Sequence, residues 1–179
     1  MAKLIILEGL SRTGKTTISN DLQSKGYGRI ISLKEKMPDH CDLASFYKGT
    51  FISYDAFFKA FPEETFILDR SIVSEMVYSK FFGRVQAISN LEIHDFLCEH
   101  EIYLFYLWNE HLDYMKRLPK DRIVYDAKDY TRLKNLFETS LNGISQSTDW
   151  MAINTSKYNI DETINLIKHH LWTIPEYEQ

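Results

Sequence analysis

The stretch Gly9-Leu10-Ser11-Arg12-Thr13-Gly14-Lys15-Thr16 leaves this chain few choices of fold. It matches G-x-x-x-x-G-K-[ST], a phosphate-binding loop that has to sit between a strand and a helix. Gly9 and Gly14 allow turns that a Cβ would obstruct and let a ligand approach the backbone. The N–H groups from Gly9 to Thr17 then form an anion nest, completed by the N-terminus of the following helix. Lys15 supplies a mobile positive charge for the β- and γ-phosphates, and Thr16 a hydroxyl ligand for Mg²⁺. The flanks agree. Lys3–Leu7 is a short apolar run rich in β-branched residues, as a buried parallel strand should be. Ile18 and Leu22, four residues apart, share one helix face.

Five short apolar runs alternate with helical patterns: Lys3–Leu7, Arg29–Leu33, Thr65–Leu68, Ile102–Trp108 and Trp150–Asn154. Such alternation predicts an α/β domain, a parallel sheet with helices on both faces. The 179 residues suit one domain spanning 1–179, and no linker or repeat divides them. The net charge of −4 provides no basic field toward nucleic acid or a membrane surface. No apolar run is long enough to span a bilayer, and the first strand leaves no room for a signal peptide. Cys41 and Cys98 fit no metal or disulfide spacing, so both are expected to be free thiols in the cytoplasm.

In an open α/β sheet the ligand crevice lies beyond the carboxyl ends of the strands. Lys34 and Glu35 follow the second strand, so they are candidates for chemistry or for a solvated turn. Phe66-Ile67-Leu68-Asp69 is an apolar strand ending in a carboxylate beside the loop, able to hold Mg²⁺ directly or through water. Arg70 follows, placed to grip a second phosphate through its planar fork. From Leu43 to Phe61, apolar and aromatic residues recur at helical spacing. Most are expected to be core, with Tyr54 and Phe57 as candidates to stack on a base. Ser89-x-x-Glu92 reads as a capping box, and Asn109 as the cap of the helix after strand four. Arg117-Leu118-Pro119-Lys120-Asp121-Arg122 opens a short basic lid around 117–128. Leu133, Leu136, Phe137 and Leu141 mark one later helix, and Ile160, Ile164, Ile167 and Leu171 another. The tail after Pro175 is expected to fray.

Taken together, these segments resemble the thymidylate kinases and deoxynucleoside kinases. Glu8–Thr17 is similar to the E-G-x-D-[RGKS]-x-G-K-[ST]-T loop of thymidylate kinases. Asp69-Arg70-Ser71 with Ser74 resembles their D-R-[YS]-x-x-S, and also the E-R-S of deoxynucleoside kinases. Ile153-Asn154-Thr155-Ser156 resembles the segment that lies against the adenine of ATP. The resemblance implies a P-loop kinase three-layer sandwich with strand order 2-3-1-4-5, Mg²⁺-ATP as donor, and often a homodimer. It implies that Lys15 and the loop hold the donor phosphates, Thr16 and Asp69 form the Mg²⁺ site, and Thr155 lies by the adenine. Arg70 would hold the acceptor's 5′-phosphate, Arg12 would bridge the transferring group, and Arg117 and Arg122 would be lid cations. The chain departs from the family at Ser11, where an Asp usually contacts the acceptor's 3′-hydroxyl; that removes a hydrogen bond worth ~1.5–3 kcal/mol. Lys34–Pro38 matches the family's R-E-P-G only in part.

Three functions follow. One is phosphorylation of a deoxynucleoside monophosphate, dTMP or a modified pyrimidine deoxynucleotide, which needs no general base. A second is phosphorylation of a hydroxyl, on a deoxynucleoside or on a hydroxymethylated base in DNA, with Glu35 as base. The third, a nucleotide-dependent binding module of the GTPase kind, lacks its N-K-x-D and D-x-x-G motifs here.

Overall fold

The structure, a computed structural model, describes residues 1–32, 41–117 and 125–173. Strand β1 (Lys3–Glu8) is the axis of the sheet, and Leu4, Ile5, Ile6 and Leu7 are all buried, so both its faces are covered. The chain then runs α1 (Lys15–Ser24), β2 (Arg29–Ser32), α2 (Leu43–Ala60), β3 (Thr65–Asp69) and α3 (Ile72–Phe82). It continues with α4 (Asn90–Glu99), β4 (Glu101–Trp108), α5 (His111–Lys116), α6 (Ala127–Ile144), β5 (Trp150–Asn154) and α7 (Ile160–Thr173). All strand pairings are parallel and the order is β2-β3-β1-β4-β5.

The two-residue repeat of the strands divides the core. Leu4, Ile6, Phe66, Leu68, Leu104 and Tyr106 face one layer, built from α2 to α6. Ile5, Leu7, Ile67, Phe105, Leu107 and Ile153 face the other, where Ile18 and Leu22 of α1 meet Ile164 and Ile167 of α7. This is the three-layer arrangement expected. No helix among the described residues is long and apolar enough to cross a membrane. Cys41 and Cys98 are free thiols.

Several local expectations hold and others change. The capping box of α4 is complete: the Glu92 N–H donates to Ser89 Oγ at 3.3 Å and the Ser89 N–H to Glu92 Oε2 at 3.0 Å. Asn109 does not cap α5, whose N-cap is Glu110. It is buried instead, and both its carbonyl and Oδ1 accept from the Tyr130 hydroxyl. Along α2 only Phe58 is fully buried, so its aromatic face is largely surface and cavity wall rather than core. Ile160 is exposed, because it stands at the first turn of α7, outside the stripe that meets α1. Ala127 and Lys128, expected in the lid, belong to α6. Lys34, Glu35, Pro119, Arg122 and the tail beyond Pro175 lie outside the described residues.

Removing the cap hydroxyl with Ser89→Ala is expected to lower stability by ~1 kcal/mol in urea denaturation, with an unchanged m-value. The hydrogen bond from Lys48, then those from Ser89, hold the Glu92 carboxyl down to about 2. Its unfolded value is ~4.3, so its contribution is complete above that pH and is lost as the pH falls toward 2. The stability gap between wild type and Glu92→Gln should therefore close on acidification from about pH 5.

Candidate active site

The register of β1 with its neighbours brings the phosphate loop to the carboxyl end of the sheet. Gly9 has φ +127°, and a Cβ there would stand 2.0 Å from the Leu107 carbonyl oxygen of β4. Only glycine lets the chain leave the strand so close to its neighbour. Gly14, at φ +87°, opens α1, and its carbonyl takes the Ile18 N–H at 2.9 Å. Lys15 is buried, and its ammonium lies within the loop on the Leu10 carbonyl and on Thr13 Oγ1 at 3.1 Å. Thr17 stands at the start of α1 on the wall of the adjoining crevice.

β1 and β3 pair with Leu7 opposite Asp69. Asp69 therefore emerges next to the loop, where the Thr16 hydroxyl donates to its Oδ2 at 2.6 Å. Residues 53 positions apart thus meet as a hydroxyl and a carboxylate, the oxygen donors that suit a hard divalent cation. Among the described residues no three His, Cys, Asp or Glu converge. A cation here would draw its other ligands from phosphate oxygens and water.

Arg70 has a left-handed backbone, φ +82°, which turns it back over the loop. Its Nη1 donates to the Gly9 carbonyl at 3.2 Å, Tyr78 Oη at 3.3 Å and Ser74 Oγ at 3.4 Å; Nη2 reaches Ser11 Oγ at 3.5 Å. Burial pulls its pKa down, but Tyr78 and Glu8 outweigh that, and the net shift is upward. The guanidinium is a permanent charge on the floor of a cavity of about 320 Å³. Tyr47 and Phe51 of α2 and Tyr78 and Phe82 of α3 make its apolar walls. Glu75 and Arg84 close one side as a bidentate pair, with two contacts of 2.6 Å, and Arg84 lies over the Tyr47 ring at 5.3 Å.

The aromatic residues of this cavity differ from those expected. Tyr54 and Phe57 line a separate hollow with Ile31 and Phe46. Phe57 packs on Phe61 and Phe66, near the amino end of β3 and away from the loop. Tyr54 stacks on Phe58. The helical spacing of α2 identifies an aromatic helix but not which of its faces looks over the crevice.

On the other side of the loop a crevice of about 990 Å³ joins Arg12, Gly14, Thr17, Arg117 and Thr155. Arg12 donates to the Arg117 carbonyl, and Arg117 Nη1 returns the bond to the Arg12 carbonyl at 3.2 Å. Arg117 Nη2 also reaches the Thr155 carbonyl at 3.2 Å. Two arginines 105 residues apart are thus fastened to each other's backbone at the loop. Arg12 Nη2 is buried with no hydrogen-bond partner among the described residues. Tyr158 and Ile160, both exposed, are apolar surface at the far end.

Sequence reasoning assigned no role to Glu8, Tyr47, Glu75, Tyr78 or Arg84. A signal existed for Glu8, a carboxylate at the end of an otherwise apolar strand. None marked Glu75 and Arg84 as partners.

No known protein-family profile and no curated protein matches the sequence. Solved structures do match. YorR from Bacillus subtilis, in complex with phosphorylated GDP, superposes with a TM-score of 0.76 at 19% identity, covering 98% of this chain and 99% of its own. Deoxyadenosine kinase from M. mycoides, with dCMP and dCDP bound, gives 0.61 at 17% identity, covering 96% and 100%. Thymidylate kinase from Candida albicans gives 0.59 at 18% identity, covering 96% and 92%. The fold is that of the P-loop nucleotide kinases, with the sheet order 2-3-1-4-5.

Gly9→Ala should lower stability by at least about 2 kcal/mol in urea denaturation, since strain at positive φ adds to a clash with the β4 backbone. Gly83→Ala is the control: its φ is +65° but no atom lies within 4 Å, so only the ~1 kcal/mol of strain is expected.

Proposed function

We propose that this chain is a Mg²⁺- and ATP-dependent kinase of a small nucleotide. Its acceptor is a deoxynucleoside monophosphate, dTMP or a modified pyrimidine deoxynucleotide. The observation that carries this reading is Arg70: a permanent cation lining an aromatic-walled cleft, 3.2 Å from the carbonyl that begins the phosphate loop. A part-buried guanidinium with donors toward the cleft can bind an anion, and a phosphomonoester beneath a planar base matches both the cation and the aromatic walls. A cavity of about 320 Å³ suits one such molecule. The nucleotides bound in YorR and in the deoxyadenosine kinase support the same class of ligand. A base still within DNA would have to be flipped out of its stack to enter.

Phosphoryl transfer then needs position and charge neutralisation. The loop amides and Lys15 hold the β- and γ-phosphates of ATP. Thr16 and Asp69 would hold Mg²⁺, which neutralises charge on those phosphates when bound. Arg70 fixes the acceptor phosphate so that one of its oxygens faces the γ-phosphorus. The new P–O bond forms as the bond to the β–γ bridging oxygen breaks, and ADP leaves with that electron pair. No base is required, because the attacking oxygen is already anionic. Arg12 and Arg117 stabilise charge on the transferring group, and Thr155 borders the donor base.

A second reading is transfer to a hydroxyl, on a deoxynucleoside or on a hydroxymethylated base in DNA; Ser11 supports the DNA form, since a phosphodiester at the 3′ oxygen would repel a carboxylate. The Ser11 hydroxyl lies 3.5 Å from Arg70, where the resemblance would have an Asp facing the sugar. The likeness to a deoxyadenosine kinase supports the deoxynucleoside form. Glu35 would be the base for that reaction.

Labelled ATP offered with deoxynucleosides, deoxynucleoside monophosphates and hydroxymethyl-base DNA decides between them. A deoxynucleoside monophosphate should accept label, and Lys15→Ala should abolish transfer. Label on none of them above the Lys15→Ala background sinks the kinase reading. Arg70→Met should lower kcat/KM for the monophosphate by about 30-fold or more, as expected for a lost charged hydrogen bond. Glu35→Gln separates the two chemistries: a loss of about 10²-fold or more marks a general base and favours the hydroxyl, while little change leaves the monophosphate.

A further inference from the structure

Glu8 is the last residue of β1 and has no exposed surface. A carboxylate in such a place is costly unless donors surround it. Its Oε1 accepts from the Ser71 N–H at 2.8 Å, the Ser71 hydroxyl at 2.8 Å and the Ser74 N–H at 3.2 Å. Its Oε2 accepts from the Ser74 hydroxyl at 2.6 Å. All four donors lie in the first turn of α3, whose N-cap Ser71 makes no side-chain capping bond of its own. An anion from another element therefore caps this helix, at the end where its dipole favours negative charge.

Capping alone would make Glu8 a structural residue. The second observation is where the hydrogen bonds lead. Ser74 Oγ gives its proton to Glu8 and accepts from Arg70 Nη1 at 3.4 Å. The same Nη1 donates to the carbonyl of Gly9, the residue after Glu8. Arg70 itself sits at φ +82°, a conformation an arginine does not choose locally. Its place is imposed by what surrounds it.

We propose that Glu8 is a positioning residue for the acceptor phosphate. Through Ser74 it holds the Arg70 guanidinium at one position relative to the loop that starts at Gly9, while its bonds to Ser71 fix the residue that follows Arg70. The two phosphate sites are thereby fastened together. The inference rests on Arg70 as the acceptor-phosphate ligand. A carboxylate is needed because four donors converge on it. Glutamine in the same shape can put its oxygen at Oε1, but its NH₂ then faces the Ser74 hydroxyl. That hydroxyl must turn its proton away and accept from both neighbours, and the anion that balances Arg70 is lost.

A double-mutant cycle of Glu8→Gln and Arg70→Met, read by urea denaturation, tests the linkage without any assay of activity. Positioning predicts coupling of about tenfold in the unfolding equilibrium constant, the ~1.4 kcal/mol typical of residues in one network. Additivity within twofold means that Glu8 only caps α3 and overturns the proposal. In the active enzyme, Glu8→Gln should raise KM for the phosphorylated acceptor about tenfold while KM for ATP changes less than twofold, with Ser74→Ala smaller but in the same direction. Equal changes in both KM values, or none, overturn it as well. Should wild type phosphorylate no nucleotide, the kinase reading fails and the cycle alone decides the role of Glu8.

Discussion

The pairing of Leu7 with Asp69 is the constraint on which the site depends. Side chains alternate along a strand, so a slip of one residue would send Asp69 to the opposite face of β3 and part it from Thr16. What prevents the slip is burial. Leu4 and Ile6 face one layer while Ile5 and Leu7 face the other, and Phe66, Ile67 and Leu68 alternate beside them. With both faces of both strands covered, a shifted register would have to rebuild both cores. The 2.6 Å contact between Thr16 and Asp69 is thus set by packing, not by the attraction of the pair.

Charge is arranged around that frame with little slack. Glu8 and Asp69, on the ends of β1 and β3, are both buried. Burial drives Glu8 toward its neutral form, against the pull of Ser74, Ser71 and Arg70, and its pKa is raised on balance. Lys15, Arg12, Arg70 and Arg117 surround the loop, and Arg12, Arg70 and Arg117 spend their donors partly on backbone carbonyls. Arg12 and Arg117 are thereby held in position by groups that carry no net charge, while Arg70 also feels the carboxylates of Glu8 and Asp69. A polyanion is the ligand that this set of fixed positive charges favours, because its desolvation would be repaid at several points together.

Periodicity located all five strands to within a residue, because each is a short apolar run bounded by turn residues or a charge. The capping box of α4 was legible because all its parts lie within four residues. Asn109 was misread because Tyr130, 21 residues away, competes for its oxygens and wins by being buried with it. The faces of α2 were misread for a related reason. Aromatic residues surround that helix, so composition cannot orient it; the packing of Phe58 against Phe66 and Phe96 does. Tyr47 and Phe51 consequently border the cavity, and Tyr54 and Phe57 do not.

What the sequence determined by itself is the part of this protein that is contiguous in the chain. The glycines of the loop, Lys15, Thr16 and the apolar strand ending in Asp69-Arg70 name an α/β fold of the P-loop kind, because local backbone geometry and two-residue alternation are short-range properties. The tertiary structure alone decided which distant groups share a site. The reciprocal Arg12–Arg117 contact, the Glu75–Arg84 pair on the cavity wall and the convergence of Ser71 and Ser74 on Glu8 all depend on where packed elements come to rest. Those positions follow from burial summed over the whole sheet, which no single stretch of residues encodes.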